Sequence, residues 1–255
     1  MINTEATIYS PSIRRVLTAL FQADLIVLVK NRLNLVMSFL LPVLMLYLTN
    51  SEKAAKSFGG SEFVIGLCIA VGLISTSIMG YAVSVARDRE IGVFQRLRVT
   101  PAATWTIMVS RLAIRVMFNL VIAAVVLFIG ARMHHLSLSV EQYGLVLAIS
   151  ILGGAVFLSI GQALAGLVKS SDAVNSTGRL LYIFLVLFSV LGLNGSLGSS
   201  IETLARWLPV GTVMTLFAGV LHLAAWGTRD TQSLAACAGY IVVCAVVGVR
   251  WFRWD

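Results

Sequence analysis

The sequence predicts an all-α polytopic membrane protein, a single domain over residues 1–255. It has six transmembrane helices, an N-terminal interfacial helix, a cytosolic helix after the second span and an outer re-entrant hairpin. Three observations carry this. Hydrophobic residues make up 58% of the chain and charged residues only 12%, about half the charged share of a soluble domain. Uncharged blocks recur at 33–51, 63–86, 116–131, 142–168, 180–201, 207–228 and 231–249. Most approach the roughly 20 residues that a helix needs to cross the hydrocarbon core, and only helices close their backbone hydrogen bonds within such a stretch. Finally, Lys and Arg are distributed unevenly between the segments that join these blocks.

In chain order, residues 12–29 read as the interfacial helix: Ile13, Val16, Leu17, Leu20 and Leu28 share a face opposite the row Arg14, Thr18 and Gln22. Asp24, Lys30 and Arg32 precede the first apolar run, and no small-residue cleavage pattern follows a short core, so a cleavable signal peptide is not expected. The spans are placed at 33–50, 63–86, 105–131, 143–168, 179–198 and 231–250. With the N-terminus inside, fourteen of the nineteen Lys and Arg fall on inner segments and five (Lys53, Lys56, Arg132, Arg206, Arg229) outside. That is the positive-inside bias. It accounts for the net charge of +8 without nucleic acid, and both termini are expected in the cytoplasm. Arg111 and Arg115, one turn apart, are expected to anchor the third span by snorkelling. Trp251 and Trp254 would seat the last span at the headgroups.

The block 207–228 is long enough for a seventh span, but that would put Arg250 and Arg253 outside. Pro209, Gly211 and Gly219 interrupt it, and Gly211, Thr215 and Gly219 form a small-residue row suited to close packing. Residues 204–228 are therefore expected to form a re-entrant hairpin, dipping in from the outside and buried in protein.

Catalytic chemistry finds little support. Gly161-Gln-Ala-Leu-Ala-Gly166 has the glycine spacing of a phosphate loop, yet Leu167 and Val168 stand where Lys and Ser/Thr are required; helix packing explains the glycines better. His134, His135, His222 and Ser159 form no nucleophile–base arrangement, and no His-Glu-x-x-His zinc motif is present. Cys68, Cys237 and Cys244 have no metal-ligand spacing. Every carboxylate sits at or beyond a span end, which disfavours an ion-coupled carrier.

What remains is a charged island. Residues 87–98 hold six of the thirty formal charges: Arg87, Asp88, Arg89, Glu90, Arg96 and Arg98. Ile91, Phe94 and Leu97 fall at i, i+3 and i+6, and Thr100-Pro101 stops the pattern. A cytosolic helix over 87–100, with one apolar stripe, offers a surface for another protein to push on.

Arg89-Glu90-x-Gly92-x-Phe94-Gln95-Arg96-Leu97-Arg98-Val99-Thr100-Pro101 resembles the signature of ABC-2 type permeases, the translocation subunits of ABC exporters. Leu204-Ala-Arg206-Trp-Leu-Pro209-Val-Gly211 through Gly219-Val-Leu221 is similar to that family's proline-containing outer stretch. Gln95 departs from the acid that the family often carries before the Arg-Leu pair. The resemblance implies the ABC-2, or type V exporter, fold. It implies that Arg89, Glu90, Gly92, Phe94, Arg96, Leu97, Thr100 and Pro101 form a coupling helix on a nucleotide-binding ATPase subunit. Phe94 and Leu97 would dock in an apolar groove there, with Glu90 and Arg96 setting orientation. No cofactor is expected on this chain, with ATP and Mg bound by the partner ATPase. A second permease chain, identical or a paralogue, would complete the assembly in the plasma (inner) membrane.

Asn34, Ser38, Ser75, Ser77, Tyr81 and Asn194 are candidate pathway residues, although such side chains more often hydrogen-bond neighbouring helices. A hydrophobic or amphipathic cargo, drug-like or lipid, is the expected substrate. The rival classes are an energy-independent channel or scaffold, which would not require the shaped helix, and a secondary carrier.

Overall fold

The computed structural model describes residues 32–58, 60–93, 104–193, 198–221 and 227–251, together with positions 18, 21, 22, 25, 26, 29 and 30. Most of the expected interfacial helix 12–29 and the segment 94–103 lie outside the described residues. Among the described residues all regular structure is helical: α1 Arg32–Leu48, α2 Glu52–Ser57, α3 Ser61–Ile74, a π-helix Ser75–Ala82, α4 Val83–Glu90, α5 Thr104–Met133, α6 Val140–Leu167, α7 Ser171–Leu193, α8 Ser199–Trp207, α9 Pro209–Leu221 and α10 Thr228–Arg250. Five helices are long and apolar enough to cross a membrane, or six if α8 and α9 count as one broken span. The chain is a multi-pass membrane protein of all-α type.

α3, the π-helix and α4 form one continuous rod, Ser61–Glu90. From Phe63 to Ile74 its sequence is apolar around the whole circumference, which is the pattern of a buried helix, and Val64–Ile74 are all buried. Glycines bring its neighbours close: a Cβ at Gly72 would meet Ile122 of α5 at 2.7 Å, and one at Gly130 of α5 would meet Ile65 at 2.8 Å. The Pro42 ring of α1 fills the remaining space over Gly72. By contrast α7 and α10 turn Leu180, Ile183, Phe184, Leu187, Val242, Val243 and Val246 outward, as helices facing lipid or a partner would.

Two sequence expectations change. Residues 87–90, read as the start of a separate helix, are the last turn of the second span's rod. α7 begins at Ser171, well before the expected start at 179. The Ser170 hydroxyl accepts the Ala173 N–H at 3.2 Å, so a cap sets the helix start. Arg179 simply lies on its exposed face.

The segment 199–221 folds as two helices bent by 88°. The corner has a local cause. Pro209 opens α9, where its missing amide costs nothing, and it forces Leu208 into extended conformation (φ −64°, ψ 154°). Gly211 completes the bend, since a Cβ there would overlap the Ala205 carbonyl oxygen and stand 2.8 Å from Arg206 Cα. Tyr240 of α10 donates its hydroxyl to the Trp207 carbonyl at 2.8 Å, which satisfies the end of α8.

Candidate coupling site

Helical side chains at consecutive positions point about 100° apart. In the last turn of α4, three successive charged residues therefore reach three different helices. Asp88 accepts from Arg111 Nη1 of α5 at 2.6 Å, and both side chains are largely buried. Arg89 turns to the C-terminal end of α6: Nη1 donates to the Ala165 carbonyl at 2.8 Å, and Nη2 to the carbonyls of Val168 at 2.7 Å and Lys169 at 2.8 Å. Glu90 turns to the N-terminal end of α7, where its carboxylate accepts the Ser171 N–H at 2.7 Å and the Ser171 hydroxyl at 2.5 Å.

Each contact suits the helix end it meets. The last carbonyls of α6 have no intrahelical donors and carry the negative end of the helix dipole, so a guanidinium satisfies both needs. The first amides of α7 present the positive end to a carboxylate. Beyond Glu90 the rod stops because Gly92 takes a left-handed conformation (φ 71°) and its N–H returns to the Arg89 carbonyl at 3.1 Å.

Arg89 and Glu90 thus both make contacts within the chain, and Glu90 also stays exposed. Arg111, expected to snorkel, is held by Asp88. Phe94, Arg96, Leu97, Thr100 and Pro101 lie outside the described residues.

Four of the six candidate pathway residues, Ser38, Ser75, Ser77 and Tyr81, have described side chains. Ser77 and Tyr81 lie on the π-helix and face neighbouring helices. Asn119 of α5 accepts from the Thr76 hydroxyl, and its Nδ2 lies 3.5 Å from Ser77 Oγ. Tyr81 donates to Gln162 Oε1 of α6 at 2.5 Å. Ser38 is buried and Ser75 half-buried. Asn194 and the side chain of Asn34 lie outside the described residues. Gly161, from the false phosphate-loop pattern, seats α6 on the π-helix, since a Cβ there would stand 2.6 Å from the Ser77 carbonyl oxygen. Its companion Gly166 packs against Gly248 of α10.

Sequence reasoning missed the π-helix, Gln162 and Gln142. Only Gln142 had a readable signal: Ser139-x-x-Gln142 is a capping-box pattern. In the structure the Ser139 hydroxyl accepts the Gln142 N–H at 3.2 Å, and Gln142 Oε1 accepts the Ser139 N–H at 2.8 Å.

At the opposite end of the bundle, Thr215 donates to the Gly211 carbonyl at 2.9 Å. Pro209 is buried, and Gly219 leaves room for Asp230, whose Oδ1 would lie 2.8 Å from a Cβ there. A cavity of about 530 Å³ opens between Phe63, Met214, Thr215, Arg206, Arg229 and Asp230.

Residues 13–222 match a family model described as ABC-2 type transporter. No curated protein matches the chain.

Proposed function

The chain belongs to the ABC-2 type transporter family, whose members are membrane subunits that normally pair with ABC ATPase subunits, and from that premise we propose that it is the permease of an ATP-driven exporter. In this reading the Arg89 end of the bundle faces the cytoplasm, both termini lie there, and the membrane is the plasma (inner) membrane. The positive charge supports that orientation: Arg87, Arg89, Arg111, Arg115, Lys169, Arg179 and Arg250 collect at one end and Lys53, Lys56, Arg132, Arg206 and Arg229 at the other.

The observation that carries the proposal is the triple tie of Asp88, Arg89 and Glu90. A cytosolic segment that rotates or translates when ATPase subunits close must pull on the spans to do work. Here the residues leading into that segment hold the ends of α5, α6 and α7 by charge-assisted hydrogen bonds. ATP and Mg bind to the partner subunits, and this chain supplies the mechanical link and the walls of the route. Two permease chains, identical or paralogous, stand side by side, with the outward apolar faces turned to each other or to lipid. The bent pair α8–α9 is a re-entrant element that dips from the outside and caps the exit. Its interruption at Leu208 is half-buried, and the Trp207 carbonyl beside it accepts the Tyr240 hydroxyl of α10, which satisfies non-helical backbone at membrane depth. The cargo is hydrophobic or amphipathic, since the described helices present no charge cluster within the apolar span.

The test is purification of the detergent-solubilised complex, followed by reconstitution with a bisbenzimide dye and a fluorescent phospholipid as probes. An ATPase subunit should accompany the chain, and ATP should drive export of at least one probe. Thiol labelling should reach Ser57→Cys and Ser137→Cys from outside intact cells but not Ser12→Cys, Gln95→Cys or Asp255→Cys. Absence of any ATPase partner, or outside labelling of Gln95→Cys, would refute the assignment.

A further inference from the structure

We propose that α6 is the rod that carries motion from the coupling segment to the outer bent pair, and that Gln142 is the positioning residue at its far end; this rests on the exporter reading above. α6 is an unbroken helix of 28 residues, about 42 Å long at 1.5 Å per residue, so it spans the bundle from end to end. Arg89 grips its C-terminal carbonyls. At its other end Gln142 is buried, at 3% exposed, and uses both halves of its amide. Oε1 completes the cap of α6 on the Ser139 N–H, while Nε2 is shared between the carbonyls of Val220 at 3.4 Å and Leu221 at 3.3 Å. Val220 and Leu221 are the last described residues of α9. One side chain thus fastens the start of α6 to the end of the bent pair.

The contacts between these ends are stiff. A Cβ at Gly153 would stand 3.0 Å from Val213 of α9, one at Gly161 2.6 Å from the Ser77 carbonyl, and one at Gly166 3.0 Å from the Gly248 carbonyl. α6 backbone meets backbone at Gly161 and Gly166 and the stiff, β-branched Val213 side chain at Gly153; such close packing leaves little compressible layer, so a shift of α6 is passed on rather than absorbed. Motion imposed at Arg89 reaches the exit cap through a helix fastened at both ends.

The experiment uses the complex with its ATPase in proteoliposomes, in a Cys68→Ala, Cys237→Ala, Cys244→Ala background. A spin label at Leu204→Cys, exposed on α8, reports the far end, and one at Ser176→Cys, exposed on α7, reports the near end. In the wild-type complex both spectra should change on trapping with ATP and vanadate. In Gln142→Leu the near-end change and the ATPase rate should persist while the far-end change shrinks about fivefold, the factor set by loss of one ordinary hydrogen bond. Gln142→Glu, measured at alkaline pH, separates bridging from capping. A carboxylate still accepts the Ser139 N–H and keeps the cap, but it cannot donate to Val220 and Leu221, so it should fail as Gln142→Leu does.

A wild-type far-end response in Gln142→Glu, or in Gln142→Leu, overturns the inference and leaves the exporter reading intact. So does a wild-type complex whose near-end label responds while the far-end label stays silent. Silence of both labels in the wild-type complex overturns the exporter reading and this inference with it.

Discussion

Replacing Arg89 by alanine should uncouple the bundle from its cytosolic segment, and the size of the effect follows from the contacts. The guanidinium donates to three carbonyls at 2.7–2.8 Å, on Ala165, Val168 and Lys169. A hydrogen bond to a charged group is worth about 1.5–3 kcal/mol net. The three do not add, because one guanidinium is immobilised once and because Lys169 is exposed and its carbonyl can turn to water. A loss of about 2–3 kcal/mol for the truncation is therefore expected. If the tie is tighter in the ATP-closed state, that cost is a ten- to hundredfold loss of ATP-driven dye export, since about 1.4 kcal/mol is tenfold. Arg89→Lys should recover only part, because a single ammonium lacks the planar fork that reaches three acceptors together. The control is Arg87→Ala, which removes the same charge from the exposed side of the same turn. Export by reconstituted complexes, with thermal stability measured in parallel, is the assay. Equal defects in Arg87→Ala and Arg89→Ala would refute the reasoning, for then only the charge of this end would matter.

Other outcomes follow from the same geometry. Gly211→Ala should destabilise the fold by about 3 kcal/mol, since the new methyl meets backbone that cannot step aside; Gly144→Ala, with nothing within 4 Å of its Cβ, should be neutral, and the yield of monodisperse protein distinguishes them. Asp88→Arg and Arg111→Asp should each impair assembly while the double exchange recovers part of it, with a coupling of about 1–2 kcal/mol in a double-mutant cycle. Leu97→Asp should abolish co-purification of the ATPase while leaving membrane insertion intact, because a charge would be buried without a partner at the contact. Wild-type export by that variant would refute a docking role for Leu97.

Much of this architecture is legible along the chain because the forces that set it act on contiguous stretches. Transfer of apolar side chains into hydrocarbon is summed residue by residue, so the spans announce themselves in 63–86 or 142–168 before any fold is known. Pro209 and Gly211 mark the corner between α8 and α9 for an equally local reason: one lacks an amide donor and the other a Cβ. The start of α7 was misplaced because a hydroxyl on Ser170 and a carboxylate from another helix determine it, not the first uncharged residue. The π-helix left no trace in periodicity, and its polar residues found Asn119 and Gln162 only once α5 and α6 had packed against it.

The sequence by itself determined that this chain is a bundle of membrane helices with one charged island, and which family that island belongs to. It could not say where Asp88, Arg89 and Glu90 point. Adjacent positions on a helix diverge by about 100°, and their partners on α5, α6 and α7 lie far along the chain. The same holds for Gln142, whose cap is written in Ser139-x-x-Gln142 but whose grip on Val220 and Leu221 exists only because α6 and α9 meet. Local chemistry chooses the elements; long-range packing chooses which of their charged and amide groups end up touching, and through those contacts the working parts are joined.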